Sequence, residues 1–161
     1  MNPEFQLFKK KITNSMGRRL FMLSKLPSAY FAGIKIESLD ENQALISVRQ
    51  KWFNKNPFHS IYFAILSMAA EISTGILCMG CIYKLTPSVS MLIVKSEGLF
   101  YKKATGKIFF ACNDGMAVNN VTETAVAANE AKTVTCHSIG RNDKGEMVAE
   151  FYFTWSLKPK K

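Results

Sequence analysis

The sequence predicts an α+β fold in which an antiparallel sheet wraps one long central helix. Three observations carry that expectation. The stretch "PFHSIYFAILSMAAEISTGILCMGCIY", Pro57 to Tyr83, is apolar nearly all round, as a helix enclosed by other structure must be. Two short runs of alternating polarity precede it. The chain after Pro87 is rich in β-branched and aromatic residues, which suit strands.

The elements follow in order. Residues 3–25, "PEFQLFKKKITNSMGRRLFMLSK", repeat Phe5, Phe8, Ile12, Met16 and Leu20 at intervals of three or four, which predicts one amphipathic helix stopped with the help of Pro27. Residues 1–28 are expected to pack on a main domain of residues 29–161. In "GIKIESLDENQALISVRQ", Ile34 and Ile36 alternate with polar residues, Asp40-Glu41-Asn42 turns, and Ala44, Ile46 and Val48 resume the alternation: a hairpin. "KWFNKNP" is loop, and Pro57 falls where a first helical turn tolerates it. The central helix is expected to end near Gly80. "SVSMLIVKSEGLFYKK" and "GKIFFACND" read as strands, and "AKTVTCHSIGRNDKGEMVAEFYFTWSL" as a hairpin turning at Asn142-Asp143-Lys144-Gly145. Gly115 to Glu130 stays open between a loop and a short helix. The sheet covers only one side of the central helix, so a second subunit is the simplest cover for the other.

The 161 residues suffice for one domain with a real core, and 48% hydrophobic with 20% charged residues excludes a disordered chain. Lys+Arg minus Asp+Glu is 21 − 12, or +9, which favours an anionic partner. No nucleic-acid motif directs that charge to RNA or DNA, which leaves anionic membrane or a small polyanion. The clusters Lys9-Lys10-Lys11, Arg18-Arg19, Lys102-Lys103 and Lys158 to Lys161 also suit plain solvated faces. No apolar leader develops before Lys9, and four cysteines without one fit a reducing cytoplasm. Phe58 to Tyr83 is long enough to cross a bilayer. Ser60, Ser67, Ser73, Thr74, Gly75 and Gly80 dilute its hydrophobicity, however, and Glu71 near mid-bilayer would cost a few kcal/mol. No transmembrane segment is expected, although the basic N-terminal helix leaves room for peripheral membrane contact.

The chemistry concentrates on Glu71. On a 3.6-residue repeat, Ser60, Ser67, Glu71, Thr74 and Cys78 form one polar stripe on an oily rod. No Lys or Arg occurs from Pro57 to Tyr83 to neutralise the acid locally. Such a carboxylate is either a hydrogen-bonded structural group or a general base or nucleophile with a raised pKa. At the other end of the rod, Asn56 and Pro57 precede the first turn. Backbone N–H groups there are oriented to hold a developing oxyanion.

These residues resemble the hotdog fold, and within it the acyl-CoA thioesterases of the phenylacetate-degradation branch and their relatives, over roughly Gly33 to Leu157. In that branch a loop Asn precedes a His-Gly-Gly helix opening, and an Asp or Glu follows on the helix. Asn56 matches the Asn, Glu71 the acid fifteen residues later, and Tyr62, Phe63 and Ala64 occupy the His-Gly-Gly positions. "PSVSMLIVKSEGLFYKKATGK" resembles the strand after the helix, with its aromatic-basic-basic-Ala turn. The resemblance implies that Glu71 activates water or attacks the thioester carbonyl, Asn56 positions water or substrate, and the Phe63 backbone N–H polarises the carbonyl oxygen. Ser90 matches a strand hydroxyl that orients water. His59, Tyr62 and Ala64 would line the substrate, and Lys102 and Lys103 would meet coenzyme A phosphates. The site would straddle a homodimer or a dimer of dimers, with the acid supplied across the interface. No cofactor is implied; coenzyme A enters as part of the substrate.

Other constellations are weaker. His59, twelve residues before Glu71, invites a dehydratase pair, but the Pro-Gly-rich helix entry of those enzymes is missing. Cys78-Met-Gly-Cys81 sits near a helix C-terminus, where the dipole opposes a thiolate. Cys112, Cys136 and His137 lack paired zinc-ligand spacing. The sequence therefore predicts a hotdog acyl-CoA thioesterase, with a non-catalytic acyl-CoA or lipid-binding protein of the same fold as the alternative.

Overall fold

The computed structural model describes residues 2–160, so Lys161, the end of the basic tail, lies outside the described residues. Along the chain run α1 (Phe5–Thr13), α2 (Ser15–Lys25), α3 (Pro27–Ala32), β1 (Ile34–Leu39), β2 (Ala44–Arg49), a 3-10 turn (Trp52–Asn54), α4 (Phe63–Ile82), β3 (Val89–Phe100), β4 (Lys107–Cys112), α5 (Gly115–Ala128), β5 (Lys132–Asn142) and β6 (Met147–Pro159). The six strands form one antiparallel sheet in the order β1-β2-β4-β5-β6-β3. The α+β architecture is the one the sequence predicts: a sheet curled around the α4 rod.

The alternation of each strand decides which face meets α4. In β1 and β2, Ile36 pairs with Ile46 and Ile34 with Val48, and all four are buried. The hairpin closes where the Asp40 carboxylate accepts the amides of Asn42 at 2.8 Å and Gln43 at 2.9 Å. In β6, every second residue from Phe151 to Leu157 points inward. Two polar ties fix α4 on this surface. The Ser73 and Ser138 hydroxyls lie 2.7 Å apart, and the Trp155 indole donates to the Thr74 hydroxyl at 3.0 Å.

Two local expectations are corrected, the single N-terminal helix and the start of the central helix. The N-terminal helix is two helices, because the Asn14 side chain accepts the Met16 amide and starts α2 afresh. Pro27 does follow the end of α2, but it also opens α3, where a missing N–H is harmless. The central helix starts at Phe63, not after Pro57; residues 56–60 form a turn ahead of it. It runs past Gly80 to Ile82. Gly80 serves close packing rather than a cap: a Cβ there would stand 2.4 Å from the Phe5 ring. The carbonyls at the helix end are instead met by Asn2, whose amide donates to Gly80, Cys81 and Tyr83 at 3.2, 3.0 and 2.8 Å.

The segment left open, Gly115 to Glu130, is the helix α5. Gly115 is jammed under the first hairpin, where a Cβ would lie 2.0 Å from the Glu41 carbonyl. Asn129 ends the helix in the left-handed conformation.

Phe5, Phe8, Ile12, Phe21 and Met22 share one hydrophobic core with α4 and the sheet. Phe5→Ala should therefore cost about 3–5 kcal/mol of unfolding free energy, whereas Leu20→Ala, at a residue 67% exposed, should stay within about 0.5 kcal/mol. Urea titration followed by far-UV dichroism checks both. A loss under 1 kcal/mol for Phe5→Ala would make the N-terminal helices an appendage.

Candidate active site

Glu71 lies in the third turn of α4, half-buried. Its Oε1 would stand 3.0 Å from a Cβ built at Gly75, and the Trp155 ring closes on the same point at 3.0 Å. Gly75 thus leaves the hollow into which the carboxylate folds. Thr74 locks the neighbourhood, donating to the Glu71 carbonyl at 2.9 Å while accepting from Trp155. The carboxylate itself has no hydrogen-bond or ion-pair partner among the described residues. Burial, with no cation to offset it, raises its pKa from 4.5 to about 7. At neutral pH the group is poised between its acid and its base.

The carboxylate borders a gap of about 40 Å³ lined by Phe21, Leu26, Ile72, Ile76, Met79 and Met91. That volume admits a water molecule. Four of these residues, Phe21, Leu26, Met79 and Met91, also line an apolar groove of about 480 Å³ between α1, α2, the end of α4 and β3. Lys11, Lys25 and Lys84 rim the groove. The gap beside the carboxylate thus adjoins a groove with room for a chain of methylenes.

The helix entry is built separately. Asn54, which the sequence reading passed over, is its anchor: 1% exposed, its amide donates to Ala32 and Arg49 carbonyls and its oxygen accepts the Lys51 amide. A buried Asn two residues before a loop Pro-containing turn carries no periodic signature, so only the fold reveals it. Asn56 is half-buried, and its side-chain oxygen accepts the Phe58 and Ser60 amides and the Ser60 hydroxyl at 3.0–3.2 Å. That oxygen is committed to the loop, while the Asn56 side-chain N–H groups have no acceptor among the described residues. The Ile61 amide donates to Ala104 at 2.8 Å, and the Tyr62 amide to Asn54 at 2.8 Å. The amides of Phe63 and Ala64 have no acceptor among the described residues, as expected at a helix start.

Tyr62 and Phe63 are exposed and stack edge to face at 4.9 Å. His59 is exposed with a left-handed φ of 58°, its carbonyl accepting from Gln50. Ala64 is half-buried in the first turn. Lys102 pairs with Glu146 at 2.7 Å, while Lys103 is exposed beside the Ala104 carbonyl that holds the helix entry. Ser90 gives its hydroxyl to the Lys158 carbonyl at 3.0 Å, and strand alternation turns it away from the face on which Met91 lines the Glu71 gap. Of the proposed stripe, Ser60 precedes the helix and Cys78 is fully buried.

One distance organises these parts. Phe63 and Glu71 are eight residues apart on a straight helix, about 12 Å along its axis. A single carbonyl cannot touch the free amides and the carboxylate of the same chain.

The sheet register also gathers Cys112, Asp114 and Cys136, whose ligand atoms lie within 4.8 Å of one another. Hydrogen bonding to Cys136 and burial hold the Cys112 thiol far above its ordinary range. The Asp114 carboxylate already accepts the His137 amide at 2.7 Å. Neutral thiols around an occupied carboxylate suit packing better than ligation. Burial likewise pushes the Cys81 thiol up to about 12.

Comparison with known proteins agrees with this fold. A probable thioesterase of Pseudomonas aeruginosa superposes with a TM-score of 0.77 at 19% identity, over 88% of this chain and 93% of that one. A thioesterase enzyme of Staphylococcus aureus gives 0.62 at 14%, over 83% and 99%. The PaaI protein of Escherichia coli, from its phenylacetic acid degradation operon, gives 0.65 at 13%, over 96% of each. No curated protein matches significantly by sequence. α4 is long and apolar enough to cross a membrane, but it is mostly buried as the core helix of this fold. The family model described as a domain of unknown function, DUF4442, matches residues 17–157, and the chain belongs to that family, built on the hotdog fold that these structures share.

Proposed function

We propose that the protein hydrolyses acyl-CoA thioesters, with Glu71 as general base and a site shared between two copies of the chain. The observation that carries this reading is the Glu71 carboxylate, without a partner among the described residues, beside a water-sized gap that adjoins an apolar groove. Water held in the gap attacks the thioester carbon as its proton passes to Glu71. Amides at the helix start, Phe63 among them, receive the oxyanion, and Asn56 orients the water or substrate through its N–H groups. The tetrahedral intermediate collapses with cleavage of the C–S bond. Glu71 returns the proton to the departing sulfur, leaving a carboxylic acid and free coenzyme A.

The separation of about 12 Å along the helix between Phe63 and Glu71 favours a site completed by a second copy. β3 supplies the means: it is a twelve-residue edge strand whose outer backbone is unpaired within the chain. Leu92, Val94, Leu99 and Phe100 on it are 42–67% exposed. Pairing with a second β3 covers that edge and brings one helix entry toward the other Glu71. Lysines around the groove also suit an acyl-binding protein without turnover, and release of free thiol from acyl-CoA separates the two.

Glu71→Gln should reduce kcat/KM on a medium- to long-chain acyl-CoA panel by about 10²–10⁴-fold while the dimer persists. Unchanged turnover removes Glu71 from the mechanism. The wild-type rate should rise with pH to a plateau above about 7, because only the ionised carboxylate accepts the proton.

Stability should run the opposite way. The folded-state pKa of about 7 exceeds the ordinary 4.5, so the folded form binds the proton more tightly. Wild type then loses up to about 3 kcal/mol as pH rises from 4.5 through 7, which Glu71→Gln should not. Denaturation at pH 4.5 and pH 8 checks this; parallel losses in both proteins contradict it.

A further inference from the structure

A second pocket, of about 450 Å³, lies between α2, α3 and the edge strand β1. Four cations line it: Arg18, Arg19, Lys35 and Lys51. None pairs with a carboxylate among the described residues. The nearby acid, Glu37, two residues along β1 from Lys35, is committed to Lys107 at 2.7 Å and to the Ser47 hydroxyl. Glu37 offsets part of the Lys35 charge, but the four cations around one concavity still repel each other, and a bound polyanion relieves that repulsion.

The pocket is also shaped. Arg18 is half-buried and fixed by a 3.0 Å bond from its guanidinium to the Ile36 carbonyl, and its other N–H groups have no acceptor among the described residues. Gly33 turns the chain with φ 79°, and a Cβ there would come within 2.9 Å of the Lys51 ammonium. The missing side chain is what admits Lys51 to the cradle. Tyr30 and Phe31, packed edge to face at 5.6 Å and exposed, add aromatic faces to the wall.

Phosphate-seeking cations beside exposed aromatic rings match one ligand chemistry, a phosphorylated nucleoside. We propose that this pocket binds the nucleotide end of coenzyme A, an inference that rests on the thioesterase reading and names how its substrate is held. Lys51 lies five residues before Asn56, at most about 18 Å of extended chain, and the pantetheine arm spans that interval to the helix entry. The pocket, rather than the Lys102-Lys103 pair, then receives the phosphates, Lys102 being engaged by Glu146.

Calorimetric titration of the full chain with adenosine 3′,5′-bisphosphate tests the assignment. Wild type should bind with an affinity that falls as salt rises, and the Arg19→Glu/Lys51→Glu double variant should bind at least tenfold more weakly. Lys10→Glu, which makes a single charge reversal outside the pocket, should stay within twofold. Lys35→Glu provides the same reading if the double variant loses its thermal transition. Absence of binding to wild type, equal binding by variant and wild type, or preference for phosphatidylglycerol vesicles or inorganic phosphate over the bisphosphate overturns the proposal. The titration needs no turnover. An inactive protein that binds the bisphosphate refutes the hydrolysis reading alone, and an active one that does not bind it refutes the pocket alone.

Discussion

The structure depends on one unbalanced interaction: a carboxylate placed on a buried apolar helix with no cation or hydrogen-bond donor to meet it. Its surroundings are arranged around that cost. Gly75 yields the space, Trp155 walls it, and Thr74 ties the tryptophan to the helix backbone. A structural acid would be expected to carry donors on its oxygens, as Asp40 does in the first hairpin. Glu71 has none among the described residues, and the proposed reactive role rests on that difference.

The remaining architecture secures the rod that presents it. Asn2 and Phe5 hold the C-terminal end of α4, and Ser138 and Trp155 hold its middle from the sheet. The loop tied by Asn54 and Asn56 holds its start and leaves two helix amides open. The ends are thus fixed by different devices, side-chain capping at one and a folded turn at the other. The proposed chemistry is spread over about 12 Å of the same helix, which is why the exposed β3 edge enters the proposal.

Much of the fold was legible because it rests on periodicity. The alternation of Ile34 to Val48, the turn at Asp40, the apolar run of α4 and the late strands all carry their signals within a few residues. The errors fall where local chemistry has two uses. Proline suits a turn and a first helical residue equally, so Pro57 did not reveal that Asn56 folds the chain back before α4 begins. Asn14 sits inside a continuous amphipathic repeat, yet caps a new helix. In α5 the inward Val118, Thr122 and Ala125 include a threonine that satisfies itself on the Val118 carbonyl, which blurs the apolar stripe.

The candidate site was legible in its acid and less so in its surroundings. Glu71 stands out from sequence because nothing near it in the chain can neutralise it. The gap beside it is made by Phe21, Leu26 and Met91, brought from an N-terminal helix, its connection and a strand, and no spacing rule joins them. The most direct test of the account is a pH titration of the Glu71 side-chain carboxyl, followed by carbon-13 NMR and assigned against Glu71→Gln. A midpoint near 7 is the result that an unpaired carboxylate in this setting predicts. A midpoint at or below the ordinary value of 4.5 would mean that the group is solvated or paired, and the site built around it would not stand.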